Sequence, residues 1–302
     1  MTTFKTISEL HKLRNLPRPL HPLISIIHVE DVKGLNEDEP GSLCFDFYSI
    51  ALKRVANASL KYGQNQFNFD EGIMSFLAPG QVFSLKQQNE EKEIEQSGWV
   101  LLIHPDFLWN TSLSKSIKRY DFWGYALHEA LFLSNKEELL INGIIQNIEQ
   151  ECQANIDQFS KQIIVSQLET LLNYATRFYN RQFITNDKVS HKLLENLEAL
   201  LDDYFNDEDL INKGLPTVQH IAQQLHISPK YLSSMLKSLT GQNTQQHIHE
   251  KLIAKAKEKL SSTDLSVSEI AYGLGFEHLQ SFSKLFKAKT TLSPLGFRES
   301  FN

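Results

Sequence analysis

The segment "SVSEIAYGLGFEHLQSFSKLF", Ser266–Phe286, decides the fold of the C-terminal part of this chain. Its apolar residues recur at the three- and four-residue spacing of an amphipathic helix, but Gly273 and Gly275 interrupt the pattern. A glycine in a helix interior costs about 1 kcal/mol relative to alanine, whereas a tight turn uses the positive φ that glycine adopts readily. The segment therefore predicts two helices joined by a turn at Gly275.

A similar pattern lies 49 residues earlier in the chain. The sequence "VQHIAQQLHIS", Val218–Ser228, matches "VSEIAYGLGFE", Val267–Glu277. At an offset of 50, "LSSMLK", Leu232–Lys237, matches "FSKLFK", Phe282–Lys287. At the turn, His226 stands where the later copy has its glycine, and a histidine tolerates positive φ less readily. Two such copies in tandem predict two helix-turn-helix motifs.

Residues that favour helix starts support this division. Ser228 and Pro229 are typical of an N-cap and a first helical position, so the second helix of the first copy begins there. Ser266 and Glu269 have the spacing of a capping box, which marks the start of the later copy. Gly273 lies inside the helix that follows, and the sequence offers no reason for a glycine at that position.

The second helix of a helix-turn-helix enters the major groove of DNA, where its outward side chains meet base edges and phosphates. In the first copy these side chains would be Lys230, Tyr231, Ser233, Ser234 and Lys237. In the second copy they would be His278, Gln280, Ser281, Ser283, Lys284 and Lys287. The alternative for any one of them is an ordinary solvated helix face. The tandem repetition favours DNA binding.

The charge distribution agrees with a nucleic-acid partner for the C-terminal part. From Thr217 onward the chain has 10 Lys+Arg and 6 Asp+Glu residues, whereas the remainder has 20 and 30, so a net charge of +4 follows one of −10. A basic segment beside an acidic one is typical of a nucleic-acid-binding domain attached to a partner domain. Chance variation is the alternative, since +4 is a modest charge.

Residues from about 195 to 300 resemble the DNA-binding domain of the AraC/XylS family of bacterial transcription regulators. The resemblance rests on "IAYGLGFEHLQSFSKLFKAKTTLSPLGFR", Ile270–Arg298, on "IAQQLHISPKYLSSMLKSLTGQ", Ile221–Gln242, and on the connecting segment His247–Ala271. It implies seven helices, with two recognition helices in successive major-groove segments roughly 34 Å apart. It also implies double-stranded DNA as partner, a homodimer, contact with RNA polymerase and no cofactor.

Five positions depart from the family pattern. Thr291 stands where the family usually has glycine, and Leu252 where it usually has arginine. Gly273, Leu279 and Gly296 are also unusual. The apolar framework is retained at the other matched positions, so these departures concern the turn at Thr291 and the phosphate contacts of the connecting helix.

Residues 20–115 have the composition of short strands separated by turn-forming clusters. The expected strands lie in Leu23–Glu30, Cys44–Val55, Gly72–Gly80, Gln81–Gln87 and Gly98–His104. Strands at this spacing predict a small β-barrel, and their order before a helical segment resembles the cupin-like sensor barrel of the same family.

The pattern becomes helical after about Tyr120, where Leu140, Ile144, Ile145 and Ile148 are expected on one buried face. The predicted fold class is α+β. We expect residues 1–118 to form a cupin-like regulatory barrel and residues 189–302 to form an all-α domain with two helix-turn-helix motifs. Between them, residues 119–188 are expected to form amphipathic helices that pair two copies of the chain, with packing on the barrel as the alternative.

Catalytic and metal sites have little support in the sequence. His21, His28 and His104 are scattered, and the His247–His249 pair lies in a predicted helix, where neighbours two apart point to different faces. We expect no metal, no catalytic residue and no enzyme activity. The alternative is a cupin-type small-molecule binder or enzyme whose C-terminal helices serve only as an interaction module.

A barrel of this size can enclose one small ligand, and we expect Phe45, Phe47 and Phe76 to line such an effector pocket. Ordinary core packing is the alternative for each of them, and so is a regulator without an effector. The two cysteines have no disulfide or metal spacing, and no apolar run reaches bilayer length or resembles a signal peptide. These features predict a cytoplasmic protein with no membrane partner.

Overall fold

The chain divides into two compact units, Met1–Gln182 (the N-terminal unit) and Phe183–Asn302 (the C-terminal unit). The computed structural model describes residues 2–32, 42–55, 59–62, 65–68, 72–84, 96–154, 157, 159–185, 187–207 and 209–301. The part of the expected strand at residues 85–87 lies outside the described residues.

The N-terminal unit combines strands with four helices, the last of which ends in the C-terminal unit. Its strands are β1 (Thr2–Phe4), β2 (Ile24–His28), β3 (Ser42–Phe45), β4 (Tyr48–Val55), β5 (Ser59–Tyr62), β6 (Asn65–Asn68), β7 (Gly72–Leu77), β8 (Val82–Ser84), β9 (Gln96–Ile103) and β10 (Leu131–Leu133). Its helices are α1 (Ile7–Leu13), α2 (Leu113–Ser116), α3 (Asn135–Gln153) and α4 (Ser160–Thr185).

The described strands form two open sheets and a hairpin. The main sheet has the order β10-β7-β4-β9-β2, with every neighbouring pair antiparallel. The second sheet has the order β1-β3-β8, in which β1 and β3 are parallel. Strands β5 and β6 pair only with each other. The predicted mixture of sheet and helix is present, but the predicted closed barrel is not formed by the described strands. The main sheet ends at β2 and β10 instead of closing on itself.

The central strand β4 shows why the main sheet is well buried. Ser49 and Ala51 on one face are buried, as are Ile50 and Leu52 on the other. Because successive side chains of a strand point to opposite faces, burial at all four positions means that other elements cover both faces. The cover on one side includes α1, which begins with a capping box at Thr6 that the sequence reading overlooked.

Helix α3 is amphipathic as expected, and three of the four residues predicted on its buried face are buried. Ile141, Ile144, Ile145 and Ile148 are buried, whereas Leu140 is 36% exposed. The observed set follows the spacing i, i+3, i+4 and i+7, which keeps all four side chains on one face of a helix. The prediction of Leu140 as a core residue was therefore wrong.

The described residues of the C-terminal unit form helices and connecting turns. They are α5 (Asp187–Asn206), α6 (Leu210–Lys213), α7 (Val218–Gln224), α8 (Pro229–Thr240), α9 (Thr244–Ser262), α10 (Val267–Gly273), α11 (Leu279–Thr290) and α12 (Pro294–Glu299). The resemblance implied seven helices, and the described residues form eight because the one-turn helix α6 precedes α7. Helices α7 and α8 form the first motif, and α10 and α11 form the second.

Candidate nucleic-acid interface

The supporting helices of the two motifs begin with side-chain caps. The Thr217 hydroxyl accepts a hydrogen bond from the backbone N–H of His220 at 3.1 Å at the start of α7. At the start of α10, the Ser266 hydroxyl accepts from the N–H of Glu269 at 3.2 Å, and the Glu269 carboxylate accepts from the N–H of Ser266 at 2.7 Å. The predicted capping box is confirmed. These bonds satisfy amide groups that a helix start otherwise leaves without partners.

The turns of the two motifs have the same backbone geometry. His226 has φ 57° and Gly275 has φ 84°, so both adopt the left-handed conformation. The residue after each turn donates its N–H to the alanine carbonyl five residues earlier, Ile227 to Ala222 at 3.0 Å and Phe276 to the second motif's alanine at 3.1 Å. The left-handed residue also donates its N–H to the carbonyl three residues earlier, His226 to Gln223 at 3.1 Å and Gly275 to Tyr272 at 2.9 Å. The two bonds together form the Schellman ending of a helix. The turn residue predicted for each motif is confirmed.

Small and large apolar residues fix the second helix of each motif against the first. Ala222 and Ala271 are fully buried, which lets the helices approach closely. The second helices contribute buried residues on one face: Leu232, Met235 and Leu236 in α8, and Phe282 and Phe286 in α11. The opposite faces of α8 and α11 are therefore available to a partner.

The outer face of α8 carries the five residues predicted for the first motif. Lys230 and Lys237 are exposed. The half-buried Ser233 shares a 2.9 Å hydrogen bond with the hydroxyl of Thr244, and the Tyr231 ring meets the Phe183 ring edge-to-face at 5.1 Å. These two side chains are thus held inside the unit. The half-buried Ser234 lies between the lysines on the same face.

The outer face of α11 is more exposed than that of α8. Gln280, Ser281, Lys284 and Lys287 are all exposed, and Ser283 is half-buried. His278 forms the N-cap position without a side-chain capping bond, and it too is exposed.

The two sets of predicted residues are structurally equivalent. Five members of the second set follow those of the first by 50 positions, from Lys230 and Gln280 to Lys237 and Lys287. Positions four and seven residues apart lie on one face of a helix, so each helix presents its set on one side. Lys289 lies nine residues, or about two and a half turns, after Gln280 and therefore projects from the opposite side of α11.

The structure gives a local account of some departures from the family pattern and none of Gly273 or Leu279. Thr291 has φ 67° and ends α11, so a threonine occupies a left-handed position that favours glycine. Leu252 is fully buried, so this position cannot reach a phosphate. A β-carbon at Gly296 would lie 3.2 Å from the Ser293 hydroxyl oxygen. A β-carbon at Gly273 would have no neighbour within 4 Å among the described residues, and nothing in the structure explains that glycine.

The three phenylalanines predicted to line an effector pocket lie in packed aromatic groups. Phe45 and Phe47 stack at a centroid separation of 4.9 Å within a buried cluster. Phe76 packs on Phe122 at 4.4 Å and lies 6.1 Å from Tyr179. The structure therefore brings Phe45 and Phe47 together and places Phe76 with different partners.

A cavity of about 200 Å³ lies elsewhere in the N-terminal unit. Its lining includes His21, Phe107, Cys152, Lys161 and Ile164, and none of the three predicted phenylalanines is among the described residues that line it. Burial, together with the Lys161 ammonium, lowers the pKa of His21. Burial and the carboxylates of Glu151 and Glu149 raise the pKa of Cys152 to about 11, so that thiol stays protonated at neutral pH.

Sequence reasoning missed three residues that support the candidate interface. Thr244 is fully buried and holds Ser233. Gly214 lies against the turn glycine of the second motif, and Tyr204 donates a hydrogen bond to the Gly214 carbonyl. Gly214 follows a short helix just before Pro216, which reads as an ordinary helix ending. Its contact joins positions 61 residues apart, and no local pattern reports such a contact.

Residues 221–300 match a family model described as a helix-turn-helix domain. An uncharacterised HTH-type transcriptional regulator of Bacillus subtilis, YfiF, is 31% identical over 146 residues, which cover 48% of this chain and 43% of that protein. The HTH-type transcriptional activator RhaS of Escherichia coli is 31% identical over 140 residues, 46% of each chain. The match thus spans less than half the length of these relatives.

Among solved structures, the C-terminal domain of the two-component response regulator yesN from Fusobacterium nucleatum is 29% identical. The match covers 34% of this chain and 95% of that domain, with a TM-score of 0.31.

Within the described part of this chain, no helix is long and apolar enough to cross a bilayer. The same residues contain no group of three His, Cys, Asp or Glu side chains placed to hold a metal ion.

Proposed function

We propose that this chain, whose residues 221–300 form a helix-turn-helix domain of the AraC type, regulates transcription by binding specific sequences in double-stranded DNA. The observation that supports this proposal best is the equivalence of α8 and α11. Both helices follow the same Schellman turn, bury the same face and present polar residues and two lysines on the other face, where Lys237 and Lys287 occupy equivalent positions. A protein that reads two successive segments of the major groove requires this duplication.

The proposed roles of the side chains follow from their chemistry. Lys230 and Lys237 on α8, with Lys284 and Lys287 on α11, contact phosphates and position the domain without reading sequence. Gln280 has an amide that can bond adenine through two hydrogen bonds, and serine hydroxyls bond bases of several kinds.

The other members of the two sets contribute differently. Four of them contact base edges or nearby phosphates: Ser281 and Ser283 on α11, Ser234 on α8 and His278 at the α11 N-cap. Tyr231 and Ser233 are held by contacts within the unit. We therefore propose that they orient α8 and contact DNA only at the periphery of the interface.

A salt titration of DNA binding tests these roles. The full chain selects its preferred duplexes from a random-sequence library, and their affinity is then measured by gel shift between 50 and 200 mM salt, about the range over which phosphate contacts lose much of their strength. A Lys284→Gln/Lys287→Gln variant should bind all selected duplexes more weakly. The magnitude of the slope of log affinity against log salt should fall by about 2 for each bound copy of the chain, because each phosphate contact contributes about 0.9.

Two variants serve as comparisons. Lys289→Gln removes the same kind of charge from the opposite side of α11 and should leave the slope nearly unchanged. A Gln280→Ala/Ser281→Ala variant should change which sequences are selected while retaining the wild-type slope. Equal slopes in the wild type and the Lys284/Lys287 variant would contradict the assignment of α11 as a recognition helix.

We also propose that the N-terminal unit is regulatory. Its cavity of about 200 Å³ beside His21 and Cys152 is a second candidate location for a very small effector, and the lining by Phe45, Phe47 and Phe76 stays a prediction. Leu139 on α3 is 73% exposed, which suits a helix that pairs with a second copy of the chain. Sedimentation of the full chain at several concentrations tests that pairing, and a mass that stays monomeric would contradict it.

A further inference from the structure

The two motifs are joined by one long helix, α9, which packs against α8 on one side and α10 on the other. A single helix between two bodies permits bending and rotation of one body relative to the other. The C-terminal unit contains a second connection between the motifs, which runs through Tyr204 of α5 and the segment after α6. Its links are side-chain and backbone contacts between His220, Tyr204, Gly214 and Gly275.

The first link is a close approach of two glycines. Gly214 follows α6 with φ 71° and ψ −167°, a conformation that is essentially restricted to glycine. Its backbone lies against the turn of the second motif, since a β-carbon on Gly275 would be 2.8 Å from the Gly214 carbonyl carbon and 3.0 Å from its oxygen. No side chain fits between them, so the segment after α6 and the second turn are in direct backbone contact.

The second link is Tyr204 on α5. Its hydroxyl donates a hydrogen bond to the Gly214 carbonyl at 3.1 Å. The edge of its ring meets the ring of His220 on α7, with centroids 5.5 Å apart. Burial raises the pKa of the Tyr204 hydroxyl, so the group remains a donor at neutral pH. One side chain thus touches the first motif and the segment that contacts the second.

Helix α5 is itself fixed in place. The Asp202 carboxylate pairs with the Lys251 ammonium of α9 at 2.6 Å, and Leu201 and Phe205 are buried. The loop between α5 and α6 is closed by an ion pair between Asp207 and Lys213, which lowers the pKa of the Asp207 carboxyl group. Tyr204 therefore projects from an anchored helix, and its two contacts constrain both motifs.

We propose that Tyr204 is a positioning residue that fixes the separation and rotation of the two recognition helices, and so restricts the number of base pairs between the two sequences read. This inference rests on the proposed function. One added base pair moves the second sequence by about 3.4 Å along the duplex and turns it by about 34–36°. Two motifs joined by two connections cannot easily move apart or rotate to match such a displacement, whereas motifs joined by α9 alone can do so more easily.

The test compares spacer tolerance in the full chain and its variants. Duplexes are selected by the wild type from a random library, and one base pair is then inserted or deleted between the two selected blocks. We expect each change to weaken wild-type binding about tenfold or more, similar to a mismatched base pair. In Tyr204→Phe, which keeps the ring but loses the hydroxyl, the loss should fall to about threefold. In Tyr204→Ala, which also loses the His220 contact, the loss of affinity caused by a changed spacer should be smaller still.

Tyr120→Phe is the matched control. It removes a hydroxyl hydrogen bond of similar length, 3.0 Å to Asn173, from the N-terminal unit, and it should retain the wild-type spacer preference. A general loss of stability would weaken binding to all spacers alike and would not change their ratio. If the wild type selects no duplex at all, the proposed function fails. If the wild type and both Tyr204 variants select the same blocks with the same spacer penalties, only the positioning role is overturned.

Discussion

Replacing Gly275 with alanine should weaken the second motif far more than a turn substitution normally does. Alanine at φ 84° costs about 1–2 kcal/mol because the left-handed conformation crowds its β-carbon. Overlap of that β-carbon with the Gly214 backbone at 2.8 Å adds about 1–3 kcal/mol, since backbone cannot move aside like a flexible side chain. Alanine also stiffens the unfolded chain, which offsets about 0.4–1 kcal/mol. The midpoints of these ranges give a net loss of about 3 kcal/mol, so we expect a loss of about 2–4 kcal/mol.

The first motif provides the control for this prediction. His226 occupies the equivalent turn position, with φ 57°, and is already a residue with a β-carbon. It is exposed, so His226→Ala should change stability by no more than about 0.5 kcal/mol. The difference between the two alanine variants reports what is particular to Gly275.

Hydrogen exchange measured by mass spectrometry suits this comparison because it reports each segment separately. All three tryptophans, Trp99, Trp109 and Trp123, lie in the N-terminal unit, so tryptophan fluorescence would not follow the second motif. In Gly275→Ala, amides of α10 and α11 should exchange about 30 to 700 times faster, the equivalent of the expected loss. Strand β9 serves as an internal reference. A change below about tenfold in α10 and α11 would refute the close-approach argument.

Three further variants make separate predictions for the C-terminal unit. Gly273→Ala should stabilise the unit by about 0.5–1 kcal/mol in urea unfolding followed by circular dichroism, because the added β-carbon meets no neighbour; a loss of stability would reveal an unseen constraint. Thr291→Gly should stabilise it by about 0.5–1 kcal/mol, because glycine relieves the left-handed conformation at φ 67°; no gain would mean that threonine is unstrained there. Hydrogen bonds from Ser266 lower the pKa of Glu269 below 4.5, so its contribution is complete above that pH and disappears as the pH falls through the lowered pKa. The melting-temperature difference between the wild type and Glu269→Gln should therefore shrink below pH 4.5, and a constant difference would contradict the capping role.

The features that sequence reasoning predicted correctly in the C-terminal unit are local ones. A turn at Gly275 and the helix start at Ser266 depend on residues within one turn of the chain, so their hydrogen-bond patterns follow from neighbours in the sequence. The outward faces of α8 and α11 follow from the helical period once the turns are known. His226 shows that the same backbone forms even where the residue is less suited to it.

The features that sequence reasoning missed depend on distant contacts. The described strands form open sheets, so the barrel stays a prediction; the pairing of strands is decided by partners far along the chain, such as β10 with β7. The effector pocket expected at Phe45, Phe47 and Phe76 stays a prediction, because alternating aromatics do not distinguish a packed core from a cavity. The Gly214–Gly275 contact could not be predicted, since each glycine already has a local explanation in its own turn.

Methylation interference on a selected duplex tests the central claim most directly, because methyl groups on guanine N7 block contacts in the major groove. Each bound copy of the chain should be blocked by methylation in two clusters on one face of the DNA, about 10–10.5 base pairs apart. Ser234→Ala should weaken interference in one cluster, and Gln280→Ala in the other. Interference in a single cluster, or in none, would contradict the claim that both motifs read DNA.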